Sequence, residues 1–285
     1  MVGVFDVSEA EYYCRQYQRR GGKAALSFQD LLDDYLASKI VRFREGSAEF
    51  GDYRDCSLRD VERRLFLCVS HYRRSLDLLH TSAAPWAHVT LYYASFFAAS
   101  ALLGIFGCYV GDYFVVEVSR SSPGSQEMTF NKQVMSNLGI QKRGTHVKFW
   151  YVFYEAAPSL VPWITDVRQK TALDPVGGSY TWQIDTRNRV NYDTYRSVDM
   201  MKQFQRTFNP SQFPTCVQGD LATQLWSVDN ISRVAFGFAR QFNLVTDALI
   251  PLNSAGTSRA NKVQELILGQ ALPSVSANVA WNDYV

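Results

Sequence analysis

The sequence is poor in the features that usually announce an activity. Its five cysteines, Cys14, Cys56, Cys68, Cys108 and Cys216, include no C-x-x-C pair. The odd count and wide spacing argue against both a zinc site and a disulfide framework, so a reducing, cytoplasmic setting is expected. Histidine is scarce, at His71, His80, His88 and His146, and no H-E-x-x-H occurs. There is also no phosphate loop, no G-x-G-x-x-G and no G-x-S-x-G, so neither a cofactor nor a metal is expected. An excess of one charge sign is missing too: 29 Lys and Arg stand against 27 Asp and Glu, for a net charge of +2. Any nucleic-acid contact must then come from a local patch rather than from the whole surface. Finally, no Asp, Glu, Lys or Arg occurs from Thr81 to Gly111. The centre of that run, Val89–Val110, is long enough to cross a bilayer. Tyr92, Tyr93, Ser95 and Ser100 dilute its apolar character and no second such run exists, so a helix buried on all sides is the expected reading.

What is present is ordinary globular composition, 47% hydrophobic and 20% charged over 285 residues, without repeats or low-complexity tracts. The start, Met1–Tyr13, carries Asp6, Glu9 and Glu11 and reads as a short helix rather than a secretion signal. The triplet Asn230-Ile-Ser232 matches the glycosylation pattern but carries no weight without secretion. Ser27 is placed to cap a helix reaching about Phe43. The polar, glycine-containing stretch Arg44–Cys56 reads as a loop. Ser57-Leu-Arg-Asp60 resembles a capping box, and behind it Val61, Leu65, Cys68, Tyr72, Leu76 and Leu79 keep the spacing of one buried helix face. The next helix starts near Pro85 and stops at Gly107.

Tyr113–Ser119 is rich in β-branched and aromatic residues, and a Ser-Pro-Gly-Ser turn follows it. A two-stranded hairpin is therefore expected at about 113–131, decorating the helices without entering their core. Helix returns at Thr145–Ala157, ended by Pro158, and again within Pro162–Leu173. Asp185–Tyr195 reads as helical, Ser197 as the cap of a helix through Phe208, and Asp220–Ile250 as a long helix. Ser258–Gly269 reads as a last short one. The fold class expected is mainly α, an antiparallel helical bundle with additional helices and a small β-hairpin insertion.

Three segments carry a family resemblance. In His88–Gly107, the residues Tyr92, Tyr93, Ala94, Phe96, Ala98, Ala99, Ala101, Leu102 and Leu103 follow the pattern Y-Y-A-x-F-x-A-A-x-A-L-L. Thr145-His146-x-x-Phe149 matches an H-x-x-F helix start. In Asp185–Tyr195, Arg187-Asn188 opens a late arginine motif, with Arg189, Tyr192 and Asp193 loosely like an R-x-x-A-D-Y variant. In type, order and spacing these segments resemble the HEPN superfamily over roughly residues 60–210.

The resemblance implies a HEPN-like bundle over 57–210, preceded by a helical extension over 1–56 and followed by helices packed on it over 211–285. It implies a component of an RNA-linked defence or stress system that binds RNA or a partner protein, and a homodimer. One activity it implies is metal-independent RNA cleavage, with Arg187, Asn188, His146 and Tyr192 as catalytic candidates and Arg189, Tyr195 and Arg196 contacting nucleic acid. The sequence departs from the family's ribonucleases where it matters. Their histidine, separated from the arginine by four to six residues, is replaced here by Tyr192, Asp193 and Thr194. Tyrosine, with a pKa near 10, is a poor acid–base group at neutral pH. His146 would have to supply the imidazole. Two rival readings stand beside this one: a non-catalytic helical interaction scaffold, and a membrane-anchored protein spanning about 89–110. Read structurally, the basic residues near Arg187 are a solvated helix face paired with Asp185, Asp193 and Asp199.

The charge-free run yields a test of its own. If it packs as a core helix, replacing Ala98 or Ala99 with a large side chain overpacks the interior and lowers stability by about 1–3 kcal/mol, read as a shift in the denaturant midpoint.

Overall fold

The computed structural model describes residues 5–18, 27–38, 42–81, 83–122, 125–207 and 219–244. The chain is mainly helical, with a small antiparallel sheet. In order the elements are α1 (Val7–Arg15), α2 (Phe28–Ala37), β1 (Arg42–Arg44), α3 (Ala48–His80), α4 (Ala84–Ile105), β2 (Tyr109–Val110), β3 (Val115–Ser122), β4 (Ser125–Asn131), α5 (Gln133–Asn137), α6 (Thr145–Ala156), α7 (Val167–Ala172), α8 (Trp182–Tyr192), α9 (Thr194–Thr207) and α10 (Gly219–Gln241). They fall into two compact units that are not contiguous in sequence. The first holds the described residues of 1–63, 100–180 and 238–244, the second those of 64–99 and 181–237. The long helices α3 and α4 supply residues to both. The expected helix over Ser258–Gly269 and the last turns of Asp220–Ile250 lie outside the described residues.

In the first unit the local signals act as simple capping chemistry predicts. Asp6 accepts from the backbone N–H groups of Ser8 and Glu9 and starts α1, and Ser27 accepts from Asp30 N–H at 3.0 Å and starts α2. α2 ends at Ala37, short of the expected Phe43, which instead sits in β1. The expected hairpin is present as β3 and β4, paired from Val115↔Asn131 to Ser122↔Ser125. It is the centre of a four-stranded sheet of order β1-β4-β3-β2. The sheet also enters the core, contrary to the expected decoration: Val115, Val116 and Met128 are fully buried.

The segment Arg44–Cys56 is not a loop. Ser47 Oγ accepts from Phe50 N–H at 3.1 Å, and α3 runs unbroken from Ala48. Phe50 and Tyr53 are buried, and Tyr53 donates to Gly107 O at 3.2 Å. These aromatic residues at helical spacing anchor a turn whose other residues are polar. Ser57 is accordingly no cap. It lies inside α3, buried, with its Oγ donating to Arg54 O and sharing a 2.6 Å hydrogen bond with Tyr13. Pro158 ends α6 only in part, because the chain continues as a 3-10 turn over Ala157–Trp163 with the proline in its first turn. Pro is tolerated there because its missing N–H would have no helical acceptor.

α4 is the charge-free helix. Ala84–Ile105 is long and apolar enough to cross a membrane, yet 67% of its most apolar stretch is buried within the protein. Ala94, Ala98, Ala99 and Ala101 have no exposure. The helix ends at Gly107, whose φ of 68° is left-handed, and Cys108 N–H closes the turn onto Leu103 O at 2.9 Å. A methyl group at Gly107 would lie 2.7 Å from the Val118 side chain. Gly139 has nearly the same φ, 67°, but nothing within 4 Å of where a Cβ would sit. The pair separates backbone strain from crowding. Gly139→Ala is expected to cost about 1–2 kcal/mol, the left-handed penalty alone. Gly107→Ala adds an overpacking cost of about 1–3 kcal/mol, measured as the difference between the two variants in urea unfolding.

Candidate nucleic-acid interface

The second unit brings two of the three sequence motifs together. Arg187 lies on α8 and Tyr92 on α4. The Arg187 guanidinium carbon stands 4.6 Å from the centroid of the Tyr92 ring, whose own side chain is fully buried. Arg187 is half-buried, and its Nη2 and Nε both donate to the Asn188 side-chain oxygen at 2.8 and 3.2 Å. The expected alternative was an ion pair with Asp185 or Asp193. Instead the guanidinium caps an aromatic face, and Asp185 accepts from the Thr181 hydroxyl at 2.7 Å. A cation on a desolvated ring is worth up to about 2 kcal/mol.

Around this stack the cations and aromatics reach the surface. Arg189 donates to Thr186 Oγ1 at 3.1 Å and pairs with Asp220 of α10 at 3.1 Å, both partners close to half exposed. Tyr192 and Tyr195, on either side of the break between α8 and α9, are 77% and 84% exposed. Lys202 and Arg206 are exposed on α9. Arg196 belongs to α9, but its side chain lies outside the described residues. Ser197 does not cap α9, which starts at Thr194. Its hydroxyl turns back to Val190 O and Asp193 O and ties the two helices at their junction.

His146 falls on α6, half-buried, in the first unit. Of the histidines that share a unit with Arg187, His88 lies one helical turn before Tyr92 on the same face of α4. His88 is fully buried. Its Nδ1 is 2.6 Å from Gln224 Oε1 on α10. An amide oxygen accepts, so Nδ1 carries the proton and Nε2 holds the lone pair. Nε2, like Gln224 Nε2, has no hydrogen-bond partner among the described residues. Burial drives the His88 pKa down to about 4, against a smaller upward pull from the Gln224 hydrogen bond. Asp220 nearby raises it and Arg189 lowers it. The cluster extends to Gln183 of α8, whose amide donates to Ser227 of α10 at 3.3 Å.

His88 and Gln224 were not among the residues the sequence put forward. A signal existed in the spacing. His88 and Tyr92 are four apart on α4, and Asp220, Gln224 and Ser227 fall at i, i+4 and i+7 on α10. Neither spacing says which helix faces which. Among the described residues no group of three or more His, Cys, Asp or Glu side chains is placed to hold a metal ion.

A neutral, proton-poor His88 has a pH consequence. Its folded pKa lies below the unfolded value near 6.5, so the unfolded chain binds the extra proton between those values. Its contribution to stability is complete above about pH 6.5 and is lost as pH falls through about 4, amounting to about 3 kcal/mol at the acid end. Thermal unfolding across that window is expected to show a steeper loss for the native chain than for His88→Asn, whose side chain does not titrate. Equal slopes would show that His88 is not the group responsible. Set against protein-family models, curated proteins and solved structures, the chain matches none of them, so the HEPN resemblance stands on its three motifs and their order.

Proposed function

We propose that this protein binds RNA as a HEPN-like component of a defence or stress system, using the surface where α8 meets α9. The observation that supports this is that the end of α8 and the start of α9 carry, close in sequence to Arg187 and Arg189, two tyrosines that are 77% and 84% exposed. Stacked on bases they contribute about 1–3 kcal/mol each, and neighbouring arginines meet the phosphates. Arg187 would act as a preset cation, held over Tyr92 and fixed by Asn188, so little conformational freedom is lost on binding.

Binding is favoured over cleavage. A metal-independent ribonuclease needs reachable acid–base groups. His88, on the same face of α4 as Tyr92, is buried and its pKa is lowered, so it is not reachable in that role. The cytoplasmic setting and the homodimer belong to the same proposal. The four described cysteines are free and buried, which suits a reducing compartment. A second reading, the interaction scaffold, has one observation of its own: Val198 and Met201 are 43% and 39% exposed on α9 beside Tyr195, a mixed apolar face that suits a protein partner.

Fluorescence anisotropy with a labelled single-stranded RNA tests the proposal. Tyr192→Ala and Tyr195→Ala are each expected to weaken binding roughly tenfold or more, in line with the stacking energy of one base. Arg187→Ala should abolish binding and lower stability by about 1–2 kcal/mol, because it uncovers the Tyr92 ring. Arg187→Lys keeps the charge but loses the planar stack, so it should restore only part of the affinity. Undiminished RNA affinity in the double tyrosine variant would remove this surface from consideration and leave the scaffold reading in front.

A further inference from the structure

We infer that Asp220 sets the affinity of the proposed RNA surface, by holding Arg189 in an ion pair that an RNA phosphate must displace. This inference rests on the RNA reading of the α8–α9 surface and adds to it a residue of α10.

Arg189 and Tyr192 are three residues apart on α8, so they are neighbours on one side of that helix. A nucleotide whose base lies on the Tyr192 ring brings its phosphate within reach of Arg189. The guanidinium is already engaged. Its Nη2 donates to Thr186 Oγ1 and pairs with Asp220 Oδ2, both at 3.1 Å. Thr186 is buried and belongs to α8, so it steadies the arginine on its own helix. Asp220 reaches over from the first turn of α10. A carboxylate and a phosphate offer a guanidinium the same kind of anionic oxygen. Asp220 therefore occupies the place that the anion of the ligand needs. Arg187 differs. Its Nε and Nη2 are held by the neutral side-chain oxygen of Asn188, and its other contact is the Tyr92 ring. The charge of one arginine is thus masked by a carboxylate, and the charge of the other is not.

Two features make Asp220 displaceable. Both partners of the pair are close to half exposed, so the pair is weak in water and can exchange without opening the fold. Asp220 also lies at the N-terminal end of a long helix, where the positive end of the helix dipole stabilises a carboxylate with or without Arg189 beside it. Once displaced it keeps both the water and the helix end, so it is not stranded. Exchange also changes the ion count. The phosphate gives up a counterion while the freed carboxylate takes one up, so the contact at Arg189 adds little to the salt dependence of binding.

Fluorescence anisotropy with the labelled single-stranded RNA, from about 50 to 200 mM salt, tests this with Asp220→Asn in the native and Arg189→Gln backgrounds. Asp220→Asn is expected to bind about fivefold more tightly than the native chain at the lower salt, because an exposed ion pair no longer has to be broken. Its plot of log affinity against log salt should steepen by about 0.7, the release from one further phosphate contact on a single strand. In the Arg189→Gln background the same substitution should change affinity by less than about twofold, because Asp220 acts through Arg189. Asp220→Ser, which suits a helix start, replaces Asp220→Asn if that variant does not fold. An affinity in Asp220→Asn equal to or below that of the native chain, with Tyr192→Ala and Tyr195→Ala still weakening native binding, overturns this inference alone. A gain that persists in full without Arg189 also overturns it, since it would come from general loss of negative charge. No binding by either the native chain or Asp220→Asn overturns it together with the RNA reading.

Discussion

The structure depends on covering α4. Thirty-one consecutive residues without a formal charge, Thr81–Gly111, leave no side of this helix that water would welcome. The alanines at 94, 98, 99 and 101 take little space, so neighbouring backbones and side chains can approach closely on those sides. The larger residues between them, Leu91, Tyr92, Leu102 and Leu103, provide the apolar area. Both compact units draw on this one helix, the second on 84–99 and the first on 100–105. Its end is as important as its body. The left-handed Gly107 stops the helix, and the chain turns directly into β2, so the edge strand of the sheet follows from a single backbone conformation.

Within the second unit the same helix also carries the polar residues of the candidate site. His88 and Tyr92 leave one face of α4 a turn apart. One meets Gln224 in the interior and the other receives Arg187 from α8. The buried polar pair is demanding because each unsatisfied atom costs stability, whereas the Arg187–Tyr92 stack gains from being partly desolvated. Asp220 and Gln224, a turn apart on α10, tie the two features together: Asp220 holds Arg189 at the surface and Gln224 holds His88 below it.

Much of the fold was legible from spacing and caps. Ser27 starts α2, Pro85 lies in the first turn of α4, and the β-rich run from Tyr113 holds the strand β3 of the hairpin. The failures have a common cause. Phe50 and Tyr53 sit among Gly51, Asp52, Arg54 and Asp55, so a window average reads the segment as polar although two buried rings at helical spacing anchor it. The strands β1 and β2 have three and two residues, too short for any periodicity, and exist because β3 and β4 offer edges to pair with. Ser57 and Ser197 look like caps in sequence, yet each bonds a carbonyl of a preceding turn from inside a helix. For the site, the arginine motif and the tyrosine motif could each be read alone. Their contact could not, because helical periodicity names the face of a helix and never the partner that covers it.

The four described cysteines have an experimental consequence. Cys14, Cys56, Cys68 and Cys108 are all buried, on α1, α3 and the turn after α4. Burial raises each thiol above its ordinary range, to about 12 for Cys68, and likewise for the other three. At neutral pH the folded chain therefore presents these positions as protonated sulfur behind packed side chains. Alkylating reagents can reach them only through opening of the surrounding structure. The rate at which each becomes labelled then reports how often its own part of the fold opens, giving four internal clocks spread across both units without any engineered probe.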